Sequence, residues 1–172
     1  MNYHTAIARY NQWMNQNLYA VCELVPEGDL QLDRGAFFKS IQGTLNHILV
    51  ADQIWLGRFT KQPFTAKLDE ELYSNFSELR AQRELLDRTI IDWAHNLTPA
   101  WLEAQLHYTN SSGVTRTLQH WLLVTHMFNH QTHHRGQLTT LLNQMGYNPG
   151  VTDLPAMPEF QMSGERGAGS GG

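Results

Sequence analysis

Cysteine is nearly absent from this 172-residue chain. Cys22 stands alone, which excludes an internal disulfide framework and a cysteine-rich structural zinc site. Charge is also scarce. Asp, Glu, Lys and Arg supply 16% of the residues, and 16 acidic against 12 basic side chains leave a net charge of −4. No basic field exists to follow a nucleic-acid backbone, so no nucleic-acid partner is expected. Long apolar runs are missing. The uncharged stretch 117–134 contains five histidines and several amides, too polar to cross a bilayer, so no membrane partner is expected. The first residues lack a basic start followed by an apolar block, and a cytoplasmic location is the expectation. No glycine-rich phosphate loop occurs, and there is no Glu-x-x-His pair of the kind that builds carboxylate-bridged di-iron bundles. Met127 and Gln131 stand where a zincin helix would carry its glutamate base.

What the chain does contain is aromatic and amide side chains in quantity. Five Trp, seven Phe and six Tyr are enough to build a core, and eleven Asn with thirteen Gln take the place of charge. The length fits one domain. Residues 1–162 read as that domain, and 163–172, Ser-Gly-Glu-Arg-Gly-Ala-Gly-Ser-Gly-Gly, as a flexible glycine-rich tail.

Four segments carry helical periodicity. The first runs from about Asn2 to Leu24, with Ile7, Tyr10, Met14, Leu18 and Val21 at three- and four-residue steps, and stops before the turn cluster at Pro26. The second runs from about Ser40, a good N-cap, to Phe59. It is apolar around most of its circumference, as a buried helix would be. The third spans about Phe76 to Ala94 and carries polar i,i+4 pairs such as Glu84 with Arg88. The fourth spans about Thr117 to Met145, ending at Gly146 with Pro149 behind it. Between the third and fourth, Asn110-Ser-Ser-Gly113 separates two β-prone runs, predicting a short hairpin or ordered loop. Val151 to Met162, with two prolines, reads as an extended tail laid on the helices. The fold class is therefore all-α, a four-helix bundle with that hairpin or loop between helices three and four.

Nine histidines are present, and five lie between His120 and His134. On a wheel at about 100° per residue, His130 and His134 fall on or beside the inward stripe of Leu123, Met127, Leu138, Leu141 and Met145. His126 and His133 fall on its shoulder. His120 points inward two to three turns away. Two imidazoles at i,i+4 need a third ligand to hold a transition metal well. His47, on the second helix, is the best candidate, although its place at the border of the Ile41, Ile48, Trp55 and Phe59 stripe fits a hydrogen-bonded core role equally well. Asp52 falls on the apolar side of the same helix, where a carboxylate needs a partner such as Arg135 or a histidine ring. Tyr10, Trp13 and Trp55 are candidates to wall a pocket or to fill the core.

The runs Asn46-His47-Ile-Leu-Val-Ala-Asp52-Gln-Ile-Trp55-Leu and His126-Met-Phe-Asn129-His130-Gln-Thr-His133-His134-Arg135-Gly136-Gln137 resemble the DinB family, whose superfamily includes YfiT-like proteins and bacillithiol transferases. Tyr10-Asn-Gln-Trp13 and Thr152-Asp153-Leu-Pro155 fit the same pattern, and the resemblance covers about residues 3–160. It implies an up-down-down-up bundle, often a homodimer, with a divalent metal, zinc or nickel, bound by His47, His130 and His134. The expected function is a metal-dependent transferase or hydrolase that activates a small-molecule thiol or water. No catalytic acid or base is identifiable by spacing. The competing reading is a non-catalytic, metal-stabilised stress protein acting through dimer or partner contacts. A bis-histidine haem bundle fits adjacent i,i+4 ligands poorly.

Overall fold

Asn2 opens the first helix, its side-chain oxygen accepting from the Thr5 amide at 2.8 Å and satisfying one free N–H of the first turn. The computed structural model describes residues 2–161, so the glycine-rich tail expected at 163–172 lies outside the described residues. Helix α1 covers Tyr3–Cys22, α2 Glu27–Gln31, α3 Ile41–Thr60, α4 Phe76–His95, α5 Pro99–Glu103, α6 His120–Gln144 and α7 Pro158–Gln161. Strands β1 (Gln105–Thr109) and β2 (Thr115–Gln119) form an antiparallel hairpin. The described chain is thus mostly helical, with one small two-stranded sheet at the place where the sequence predicts a hairpin or loop.

The four long helices appear where their periodicity placed them, with three local corrections. The turn cluster after Pro26 forms a short helix. Thr117–Gln119 belong to β2 and not to the following helix, because Leu118 pairs with Leu106 and both side chains are half-buried on one face. The segment after Val151 is not fully extended, since Leu154–Ala156 make a 3₁₀ turn before α7. Asn110 closes the hairpin, its side chain accepting from the Ser112 and Val114 amides, and Gly113 supplies the positive φ of 77°. Among the described residues no helix is long and apolar enough to cross a membrane.

Side-chain contacts fix how the long helices lie. Tyr19 stacks on Phe76 while Asn15 reaches Asp87, so α1 and α4 run in opposite senses. Asp52 meets Arg83 and Phe59 stacks on Trp93, so α3 and α4 run in the same sense. Phe59 approaches His120 and His47 approaches His130, so α3 and α6 run oppositely. Leu49, Leu79, Ile90, Met127, Leu138 and Leu142 are sealed between them. Each such side chain contributes about 1.5–3 kcal/mol by leaving water.

A polar layer crosses this apolar core. Arg83 lies 2.6 Å from Asp52 and 2.9 Å from Asp87, and Asn11 and Asn15 donate to Asp87. Arg135 donates to Asn11 and, at 3.1 Å, to Gln131. All four long helices contribute, and two guanidiniums balance two carboxylates. Asp52 is therefore paired with Arg83 and not with Arg135 or a histidine. Glu84 pairs with Arg80 at 3.0 Å instead of Arg88.

Candidate metal centre

Two helices bring the histidines of the centre together, each placed by its own local geometry. Ser40 caps α3, its hydroxyl accepting from the Gly43 amide at 2.9 Å, which fixes where the helix starts and hence which face carries His47. One turn of α6 separates His130 from His134 and sets them one above the other. The opposite run of α3 and α6 brings the two faces together. One ring nitrogen from each of His47, His130 and His134 lies within 4.8 Å of the others. The Nε2 atoms of His47 and His134 each lie 3.0 Å from Nε2 of His130. His47 and His134 are buried, and His130 is half-buried.

Hydrogen bonds at the far side of two rings decide their tautomers. Nδ1–H of His47 donates to the Leu68 carbonyl at 2.6 Å, and a carbonyl can only accept. Nδ1–H of His134 donates to Oε1 of Gln137 at 2.8 Å. The amide of that same Gln137 donates to His133 at 3.3 Å, consistent with this orientation. Both rings therefore aim Nε2 lone pairs at His130. His130 can place at most one proton between three such nitrogens, and its own Nδ1 is buried without a partner among the described residues. Lone pairs outnumber protons here. A single cation about 2.0–2.1 Å from each nitrogen would accept all three, so the residues fit a divalent metal.

Electrostatics point the same way. Burial lowers the pKa of His47 to about 4, with the Leu68 bond opposing and His134 reinforcing the shift. Burial and the neighbouring imidazoles lower that of His130 to about 3. Burial also lowers that of His134. All three rings are thus neutral near pH 7, the form that ligates.

Phe38 covers one side of the centre. Its ring stacks on His47 at 3.7 Å between centroids and meets His134 edge-on at 5.5 Å. On another side His47 and His130 line a cleft of about 520 Å³, bounded by Trp55, Arg58, Tyr108 and the tip of the hairpin. The long connection between α4 and α6 thus contributes to the site.

The remaining candidates separate. His126 is exposed in the cleft wall, its ring 6.0 Å from that of His130, and His133 is exposed on the shoulder. His120 is buried, stacked on Trp101 at 3.9 Å. Trp55 walls the cleft. Tyr10 lines a separate cavity of about 90 Å³ between α1 and α6 and donates to the Thr152 carbonyl, tying down the C-terminal segment. Trp13 lies half-buried against Tyr10. Sequence reasoning missed Phe38, Leu68 and Arg83. Leu68 acts through its backbone, which leaves no mark in side-chain chemistry. Arg83 was readable in principle as one half of an i,i+4 pair with Asp87.

A mostly helical fold with three converging imidazoles defines the class as a histidine-rich helical protein with room for one cation. The chain belongs to the DinB family, whose family model matches residues 1–167. It is 28% identical over 155 residues to "Protein DinB" of Bacillus subtilis (strain 168), an alignment covering 84% of this chain and 87% of that one. A DinB-like protein from Bacillus cereus ATCC 10987, known from a crystal structure, matches with a TM-score of 0.61 at 18% identity. That match covers 80% of this chain and 90% of the other, and it supports the fold alone.

Proposed function

We propose that this protein holds one divalent cation, zinc or nickel, on Nε2 of His47, His130 and His134, and that it is a transferase or hydrolase acting on a small-molecule substrate. When bound, such a cation lowers the pKa of a coordinated thiol or water and supplies a nucleophile at neutral pH. The single observation that carries the reading is the excess of lone pairs at His130, where two Nδ1-tethered rings aim at one Nε2. Leu68 and Gln137 orient the rings, Phe38 keeps water from one face, and the cleft at His47 and His130 gives a small molecule access from another. That access favours the catalytic reading over a purely structural metal. The proposal includes an up-down-down-up course for α1, α3, α4 and α6, supported by the pairwise senses of the helices, and a homodimeric state, testable by light scattering.

The test is elemental analysis of protein purified without a histidine tag. Stoichiometric metal is expected in the parent and in His126→Ala and His133→Ala. It should be lost in His47→Ala, His130→Ala and His134→Ala. Metal retained by all three of the latter would refute the site. Metal present but unreachable by added thiols would refute the catalytic part.

A further inference from the structure

The cleft beside the three histidines is unusual in its charge. The chain carries 16 carboxylate side chains, yet among the described residues none lines this cleft, whose one charged wall residue is Arg58. The guanidinium of Arg58 sits in a corner of two rings, 4.7 Å from the centre of Trp55 and 4.9 Å from that of Tyr108. One N–H, on Nη2, donates to the Thr109 carbonyl at 3.2 Å. Arg58 makes no ion pair among the described residues, so most of its five N–H donors remain unspent.

Pinning the hairpin to α3 would account for one of those donors. It leaves the remaining donors of this half-buried guanidinium without a hydrogen-bond or ion-pair partner among the described residues. The aromatic corner restrains the guanidinium, and this lowers the entropy lost when it takes a ligand. Arg58 also lies at the opposite end of the cleft from the metal centre. Eleven residues of α3 separate it from His47, about 16 Å along the axis, shortened where the side chain leans back over Trp55. The wall between is Trp55, whose ring lies 5.3 Å from His126, and then His126 itself, 6.0 Å from His130. Thr109, Asn110 and Ser111 add neutral hydrogen-bonding groups at the Arg58 end.

We propose that Arg58 is a recognition residue that takes the carboxylate of an elongated small molecule whose other end reaches His47 and His130. A carboxylate fits better than a phosphate, because one guanidinium matches one negative charge with two parallel N–H bonds, and no second Lys or Arg side chain among the described residues lines the cleft. The far-end contact rests on the metal-site reading above. The Arg58 contact does not.

The probes are 6-mercaptohexanoate and 6-mercaptohexanol, which share a thiol and differ at the other end. In cobalt-loaded protein, thiolate binding is followed by the sulfur-to-cobalt absorption band. The carboxylate is expected to bind about ten- to a hundredfold more tightly than the alcohol, the range for a hydrogen-bonded charge. Arg58→Met should abolish that preference, and Arg58→Lys should retain part of it. In metal-free protein, the Arg58 Nε–H resonance, assigned by its loss in Arg58→Lys, should shift with 6-mercaptohexanoate and not with 6-mercaptohexanol. Equal binding of both thiols to the cobalt protein overturns the Arg58 proposal and leaves the metal centre standing. Failure to load cobalt, with the Arg58 resonance still shifting, overturns the metal reading and leaves Arg58 standing. An unshifted resonance overturns the Arg58 proposal in either case.

Discussion

The Nδ1–H of His47 donates to the main-chain oxygen of Leu68 across 2.6 Å, and this one bond decides which nitrogen of the ring faces His130. The partner is backbone, so no side-chain substitution at residue 68 removes it. His134 is held in the same way by a side chain, Gln137, which makes the principle testable. Replacing Gln137 with Leu frees the His134 ring and its tautomer. Metal affinity is expected to fall about 10–100-fold, the usual cost of losing such a support. Competition against a chelator measures this, and unchanged affinity would show that the ring is oriented by packing alone.

The acid response of the metal-free protein follows from the same rings. Their folded pKa values lie below the ordinary 6.5, at about 4 for His47 and about 3 for His130, with burial the main cause. The unfolded chain therefore binds protons that the folded chain refuses. Stability is fully present above about pH 6.5 and is lost as pH falls toward 4. Urea midpoints measured between pH 7 and 4.5 should decline more steeply in the parent than in His130→Gln, which has no imidazole to protonate. Parallel slopes would count against a buried, neutral His130.

How much of this was legible beforehand differs by element. The α6 pair was readable because 3.6-residue periodicity puts His130 and His134 on the face of Met127 and Leu138, and both nitrogens do converge. His47 was ambiguous. A helix apolar on nearly every side has no sharp inward stripe, so the wheel put at a border a residue that the fold buries. Phe38 was invisible because its position depends on a turn. Lys39 adopts φ of 65° and the Ala36–Lys39 bridge folds the ring back over His47. The partner of Asp52 was not legible because α4 is marked in sequence by polar i,i+4 pairs on its surface, whereas Arg83 points from it into the core.

Arg83 is the member of the polar layer whose loss should be felt most. Within that layer it is the guanidinium in ion-pair contact with both carboxylates, Asp52 and Asp87, and all three side chains are almost completely inaccessible. Burial pushes the pKa of Asp52 up to about 6 despite the Arg83 charge that opposes it. Without that charge both acids would be stranded in the core. Arg83→Met is expected to cost about 3–5 kcal/mol, read from urea unfolding. The double variant Asp52→Leu with Arg83→Met should recover part of the loss by removing one stranded carboxylate. A single-variant loss within about 0.5 kcal/mol, the range of ordinary surface changes, would mean that the pair is solvated in solution.

Two glycines should respond to a methyl group in opposite ways. At Gly43, in the first turn of α3, an added Cβ would press into the Phe38 carbonyl oxygen and approach the Ser40 hydroxyl at 3.2 Å. The backbone that must yield is the turn that lays Phe38 on His47. Gly43→Ala is therefore expected to lower stability by about 1–3 kcal/mol, as overpacking does, and to speed metal exchange by loosening the ring over the centre. At Gly136, inside α6, the same Cβ meets nothing within 4 Å. There the backbone is already helical, so Gly136→Ala should raise stability by roughly 0.5–1 kcal/mol through the unfolded chain's lost freedom, with metal exchange unaltered. Thermal melts and chelator-driven release on both variants decide the matter. Gly43→Ala with parental exchange kinetics would show that Phe38 does not shield the metal.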